Sequence, residues 1–465
     1  MEHLVGDRDA ASIVLEKHLA SLSPVRRLPP EVLSEVFLHC LPDKAFVDPA
    51  PLEPPLLLAN VCTTWRSIAL STAGLWSSIA VNVTGVDICP HKDLVKLWVG
   101  RSGSHPLSFQ ILGELKKGAN GLPVPGGQTA APSLLDVFIP HHARWWKIHL
   151  EYNGLGMETG LARIPENITF PRLEDVHLER SMFFNSLDLP RATSMVQAAP
   201  RLHRLSWICS SECRNMIIPW SQLTLLNLTG SILFGDHCLG IIQECPMLKS
   251  GSFVIMGPAD SELYPYKIPR FVHHNLELLD LHTQGDLREY FNRLTLPRLR
   301  ELSIEMGYFE HSQRMWPHAQ FMELLSRSEC SLEALALSNA DITPQELIAC
   351  LRCTSRSLRN LVLSADTSEY TCVTDQVLQS LSFRSTTPDL SLCPNLTNIR
   401  LWGSLSSSDG VLADMIESRW RPCCSNHPAV WPDLILLMMK CSFHSTDIAR
   451  LEALDDQSRI SIIRI

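Results

Sequence analysis

Leu276-Glu277-Leu278-Leu279-Asp280-Leu281 sets an apolar residue, two variable positions, a second apolar residue, one variable position and a third apolar residue. The chain repeats this phrase. It returns at Leu173/Val176/Leu178, Leu202/Leu205/Trp207, Leu223/Leu226/Leu228, Leu299/Leu302/Ile304, Leu332/Leu335/Leu337, Leu358/Leu361/Leu363 and Leu396/Ile399/Leu401, with a degenerate copy at Leu248/Gly251/Phe253. Alternation over the last three positions is the period of a strand with one buried face.

Successive copies start 29, 21, 25, 28, 23, 33, 26 and 38 residues apart, near the period of leucine-rich repeats, about 20–29 residues. A single copy cannot cover its own apolar face, so copies are expected to stack and share a core. The intervening segments have room to return as helix or coil. Thr343-Pro344-Gln345-Glu346 reads as a capping box with Pro at the first helical position. Residues 236–245, 375–381 and 411–420 read as further helices, and 459–465 as a terminal strand. The expected fold is α/β: a small helical module followed by an irregular leucine-rich-repeat solenoid of horseshoe form. The variable strand positions His177, Glu179, Asn227, Asp280, His282, Ser303, Glu305, Arg400 and Trp402 would line its concave face, and these are the candidate substrate-binding residues.

Upstream, the texture changes. Residues 1–23 carry Leu15, Leu19 and Leu22 at helical spacing and read as a short helix or tail. In 24–80, Leu28-Pro29-Pro30-Glu31 opens a helix on which Val32, Leu33, Val36, Phe37, Cys40 and Leu41 form an apolar stripe. Pro42 stops it, and prolines punctuate the loop to Pro55. A second stripe runs through Leu57, Val61, Trp65 and Ile68, and Leu75-Trp76 closes the block. So short a block has little room for a core, and its apolar surface is expected to seek a partner. From Ile79 the pattern alternates, with strands expected at 79–83, 107–111 and 146–150 and a Gly/Pro-rich loop at 118–132. The remainder, 81–465, is read as this strand-rich prelude, the solenoid and a C-terminal cap.

The stretches LPPEVLSEVFLHCLP and LLLANVCTTWRSIALSTAGLW resemble an F-box, in particular that of the large fungal F-box/leucine-rich-repeat group. The phrase Ile416-Glu417-Ser418-Arg419-Trp420-Arg421 is also similar to that group. The resemblance implies a substrate receptor of an SCF-type cullin ubiquitin ligase, docking on a Skp-family adaptor and, through it, on a cullin scaffold. It places Leu28, Pro29, Glu31, Leu33 and Phe37 on the first adaptor-facing helix. Val61, Cys62, Trp65, Arg66, Leu75 and Trp76 match the rest of the motif. The proline-rich stretch at 42–55 is longer than the family's tight turn, a length that a surface loop tolerates at little entropic cost.

Composition narrows the function. The charge sum of 40 basic and 49 acidic residues is −9 with no dense basic run, which disfavours nucleic-acid binding. The opening MEHLVGDRDA has neither the basic nor the apolar region of a signal peptide. No apolar run approaches the roughly 18–20 residues of a membrane span. The fifteen cysteines are scattered, as expected of reduced thiols in a cytoplasmic or nuclear protein.

Catalytic and metal motifs are lacking. There is no phosphate-binding Gly/Lys loop, no H-E-x-x-H helix and no nucleophile elbow. Gly154, Gly156 and Gly160 miss the dinucleotide spacing. Cys350-x-x-Cys353 lacks the second ligand pair of a structural zinc site, and core packing is the better reading. Cys209/Cys213, Cys423-Cys424, His141-His142 and His273-His274 are discounted alike. The expectation is therefore a non-enzyme with no cofactor and no metal, acting as a ubiquitin-ligase substrate receptor. The alternative is a leucine-rich-repeat binding scaffold with a vestigial F-box.

Overall fold

The computed structural model describes residues 24–84, 87–114, 131–152, 156–180, 190–209, 217–256, 268–307, 316–365, 372–383, 392–403, 405–420, 434–439, 444–454 and 460–464. The tail expected over 1–23 lies outside these residues, as do 118–130 of the expected loop and Cys213, Cys423 and Cys424. The chain divides into two compact units. The first runs to Glu174 and includes Ala198–Pro200; the second comprises Asp175–Gln197 and the chain from Arg201 onward.

The first unit opens with α1 (Pro30–His39), α2 (Leu56–Val61) and α3 (Thr63–Ser71). Pro30 occupies the first turn of α1, where its missing N–H costs no hydrogen bond. Strands β1 (Ser78–Thr84), β2 (Asp87–Cys89), β3 (Leu107–Glu114) and β4 (Trp145–Tyr152) follow, with helices α4 (Lys92–Arg101), α5 (Ala131–Phe138) and α6 (Gly156–Leu161). β1 pairs in parallel with β3, and β3 with β4, while β2 turns back antiparallel on β1.

The second unit carries β5 (Asp175–Arg180), β6 (Arg204–Ile208), β7 (Leu225–Phe234), β8 (Ser250–Met256), β10 (Leu278–Thr283), β12 (Glu301–Met306), β13 (Ala334–Ser338), β14 (Asn360–Ser364), β15 (Asn398–Trp402), β16 (Leu434–Met439) and β17 (Ile460–Arg464), adjacent in that order. Two short strands, β9 (Phe271–Val272) and β11 (Leu294–Thr295), pair separately. The returns hold α7 (Pro190–Gln197), α8 (Gly235–Glu244), α9 (Arg288–Arg293), α10 (His318–Ser328), α11 (Pro344–Cys353), α12 (Asp375–Leu381), α13 (Val411–Trp420) and α14 (Ser445–Leu454). The capping box read at α11 is formed: Glu346 N donates to Thr343 Oγ1 at 3.3 Å, and Thr343 N to Glu346 Oε2 at 2.9 Å.

Register explains the repeated phrase. Its second apolar positions align as one row, Leu279, Leu302, Leu335, Leu361 and Ile399, and its third as the next, Leu281, Ile304, Leu337, Leu363 and Leu401. All are buried. The first positions, Leu276, Leu299, Leu332, Leu358 and Leu396, are buried too. The backbone before each strand is also tied to its neighbour. Lys249 O accepts from Glu277 N and Leu278 N, Glu277 O from Arg300 N and Glu301 N, and Arg300 O from Glu333 N and Ala334 N. Such bonds satisfy groups that would otherwise be orphaned where the chain enters the sheet.

This architecture corrects the expected one. The fold is α/β, dominated by a large, mostly parallel sheet whose strands follow one another in hydrogen-bonded register. It is not a small helical F-box followed by an irregular leucine-rich-repeat solenoid in a horseshoe. Nor do residues 24–80 form a helical module of their own. Ala80 N donates to Val47 O at 2.8 Å, Trp98 Nε1 on α4 to Ser78 O at 3.0 Å, and the Trp76 and Trp98 rings meet edge-on at 4.8 Å. Three short helices bury too little to fold alone, so their core is completed by β1 and α4 of the same unit.

Candidate protein-docking surfaces

In the first unit, α1 carries two apolar edges. Leu33 and Phe37, four residues apart, point inward, and the Phe37 ring lies 4.8 Å from that of Trp65 on α3. Val32 and Val36, also four apart, are each 44% exposed, and Leu28, in the segment before the helix, is 38% exposed. Val61 at the end of α2 is 54% exposed, and Leu57 is exposed as well. Trp65 N donates to Cys62 Sγ at 3.4 Å, which starts α3, and Arg66 Nε donates to Ala59 O at 2.8 Å, holding α2 against α3.

These positions revise the residues expected to face an adaptor. Leu28, Pro29, Glu31, Val61 and Arg66 are exposed, and Cys62 and Trp65 are half-buried. Leu33, Phe37, Leu75 and Trp76 are buried inside the unit and serve as its core. Trp76 Nε1 donates to Ala69 O at 2.8 Å, and the Arg101 guanidinium lies 4.6 Å above its ring. Val32, Val36 and Leu57 are exposed apolar residues that the expected set omitted. The signal was the width of the stripe: Val32/Leu33 and Val36/Phe37 are adjacent pairs, more than one buried edge requires.

In the second unit, the alternate strand positions face outward. Register places His177, Ser206, Asn227, Ser252, Asp280, Ser303, Ala336, Val362 and Arg400 in one row. His282, Glu305, Ser338, Ser364 and Trp402 lie in the next. The nine residues expected to bind a substrate therefore do share a face, and each is exposed or half-buried. His282 stands between two carboxylates, with Nε2 at 3.2 Å from Asp280 Oδ2 and Nδ1 at 3.0 Å from Glu305 Oε2. The Asp280 hydrogen bond and the charges of both carboxylates raise its pKa. Burial opposes ionisation of Asp280, but hydrogen bonds from His282, Ser303 and Ser252 outweigh it and lower its pKa. At one end His177 pairs with Glu179 at 3.1 Å; at the other Arg400 and Trp402 are exposed. Asn227 Oδ1 accepts from Thr229 N at 3.0 Å. Ser252 was missed, because only register brings it beside Asp280.

Metal-ligand types also meet at Asp409, His444 and Asp447, but their oxygens hold α14 in place. Asp409 accepts from Thr446 N and Asp447 N at 3.0 Å, while Asp447 accepts from Ala413 N at 2.7 Å and pairs with His444 Nδ1 at 3.0 Å. Burial works against ionisation of Asp409, yet those amide hydrogen bonds prevail and hold its carboxyl down at about 2. His273 is likewise structural: it is buried, bonded through Nε2 to Cys245 O at 2.9 Å, and accepts from Leu276 N at 3.1 Å through Nδ1. Among the described residues, no helix is long and apolar enough to cross a membrane.

Fold and surfaces together define an α/β protein with an apolar helical edge on one unit and a polar, charged sheet face on the other. No protein-family model matches the chain, and no curated protein matches it.

Proposed function

We propose that this protein is a non-catalytic substrate-recognition subunit of an SCF-type cullin ubiquitin ligase, working in the cytoplasm or nucleus. The F-box-like segment Leu28–Trp76 docks on a Skp-family adaptor, and the outward sheet face of the second unit holds a protein substrate. Such a receptor acts by proximity, bringing a substrate to a charged enzyme, and needs no nucleophile of its own.

The observation that carries this reading is the split stripe of α1. Leu33 and Phe37 are buried in the unit, while Val32 and Val36 on the same helix, and Leu28 just before it, stay exposed among the described residues. Neighbouring apolar side chains left exposed suit a contact surface. The rows from His177 to Arg400 and from His282 to Trp402 together supply the mixed polar, charged and aromatic chemistry of a protein-recognition face.

A second reading is a protein-binding scaffold whose N-terminal segment no longer meets an adaptor. It draws on the burial of Leu33, Phe37, Leu75 and Trp76, which leaves fewer of the family-like residues outside. Co-purification of the full chain with a recombinant Skp-family adaptor separates the two. A stable complex is expected; an intact, folded chain that leaves the adaptor in the flow-through supports the scaffold.

A further inference from the structure

Cys350, discounted as a zinc ligand for want of a second cysteine pair, has two other soft donors beside it. On α10, His318 and Met322 are four residues apart and share one side of the helix. That side meets α11, where Cys350 points back at them. Its Sγ lies 3.9 Å from His318 Nδ1 and 3.8 Å from Met322 Sδ. Cys350 is buried, whereas His318 and Met322 are half-buried, so the cluster is anchored in the packing but open on one side.

The two separations from Cys350 Sγ suit a shared ion. Donors bound at about 2.0–2.3 Å to one metal stand roughly 3.6–3.9 Å apart at tetrahedral or trigonal angles. Thiolate, thioether and imidazole together are a soft donor set. A thioether does little for zinc, whereas copper in its +1 state accepts sulfur of both kinds.

We propose that His318, Met322 and Cys350 form a binding site for a single Cu(I) ion. Binding exchanges the Cys350 S–H bond for an S–Cu bond and releases that proton to solvent. Met322 Sδ and the unprotonated His318 Nδ1 each donate a lone pair, and the ion keeps its oxidation state, so no electron donor or acceptor is required.

The test loads the full-length reduced protein with Cu(I) under anaerobic conditions and challenges it with excess bicinchoninate, a Cu(I) chelator. The wild type is expected to retain one copper per chain, with X-ray absorption reporting two sulfur neighbours and one nitrogen. Met322→Leu keeps the side chain's volume and removes only the thioether; it should release its copper at least tenfold more readily while melting as the wild type does. His318→Ala and Cys350→Ser should also release it. Equal retention by the wild type and Met322→Leu would mean that the metal sits on other cysteines, and would overturn the proposal. So would a copper environment lacking nitrogen, or preferential retention of Zn(II).

Discussion

Gly251 and Phe253 share a single space in the core. A Cβ on Gly251 would stand 2.7 Å from the Phe253 ring and 3.3 Å from Leu248 Cδ2. Register puts Gly251 between Leu226 and Leu279 in the inward row, where other copies carry an aliphatic residue. The Phe253 ring fills that place from the neighbouring position. The degenerate copy is thus a volume exchange, with the large residue moved two places along the strand. Gly251→Leu alone should overpack the core and cost about 1–3 kcal/mol, and Phe253→Leu alone should leave a void. The double variant should recover part of both losses, with a coupling of about 0.5–3 kcal/mol in denaturant melts. Simple additivity would refute the exchange.

The ion pair of Arg293 with Asp236 is buried, and Glu289 joins it 3.0 Å from Arg293 Nη2. Removing one member strands the other away from water. Asp236→Ala is expected to cost about 3–5 kcal/mol, whereas Asp236→Leu with Arg293→Met should be much milder, because both buried charges are gone and the remaining Glu289 is part-exposed to water. Chemical denaturation of the three proteins checks the ranking.

The pKa of His282 is raised by Asp280 and Glu305, so its contribution has a definite sign with pH. The stabilisation is fully present below the unfolded value of about 6.5 and is lost as pH rises through the folded one. His282→Gln should therefore cost more stability at about pH 5.5 than at about pH 9. A loss that is independent of pH would show that the imidazolium does not matter to the fold.

At the head of α11, Thr343 and Glu346 cap each other. Thr343→Ala should cost about 1 kcal/mol, and Thr343→Ser little. Thermal melts of the two variants give the comparison.

On α1, the outward valines can be probed without touching the core. Val32→Glu with Val36→Glu should leave the melting curve almost unchanged and weaken adaptor binding by roughly 2 kcal/mol, about thirtyfold. Leu33→Ala should instead lower stability by about 2–5 kcal/mol. Adaptor affinity that survives both valine changes would remove this edge as the docking surface.

Much of the second unit was legible because its information is local. The L-x-x-L-x-L phrase states which positions are inward, the capping box states where α11 begins, and the alternation identifies the outward residues from His177 to Trp402. The same phrase misled on architecture, since it describes one copy and the sheet is made between copies. The helical segment misled in another way. Val32, Leu33, Val36, Phe37, Cys40 and Leu41 read as one stripe, but that Leu33 and Phe37 are the buried ones depends on tertiary neighbours such as Trp65, and no periodicity carries that.

The chain's order of residues therefore determined where strands and helices start and which side chains alternate, because backbone preference and burial period act within a few residues. Tertiary structure alone decided that Leu33 is core while Val32 is surface, that Ser252 stands beside Asp280, and that Met322 and His318 meet Cys350. Those relationships join residues 20 or more apart, or set neighbours on opposite sides. They are fixed by hydrogen-bonded register and by competition for the same buried volume, which exist only once the chain has folded.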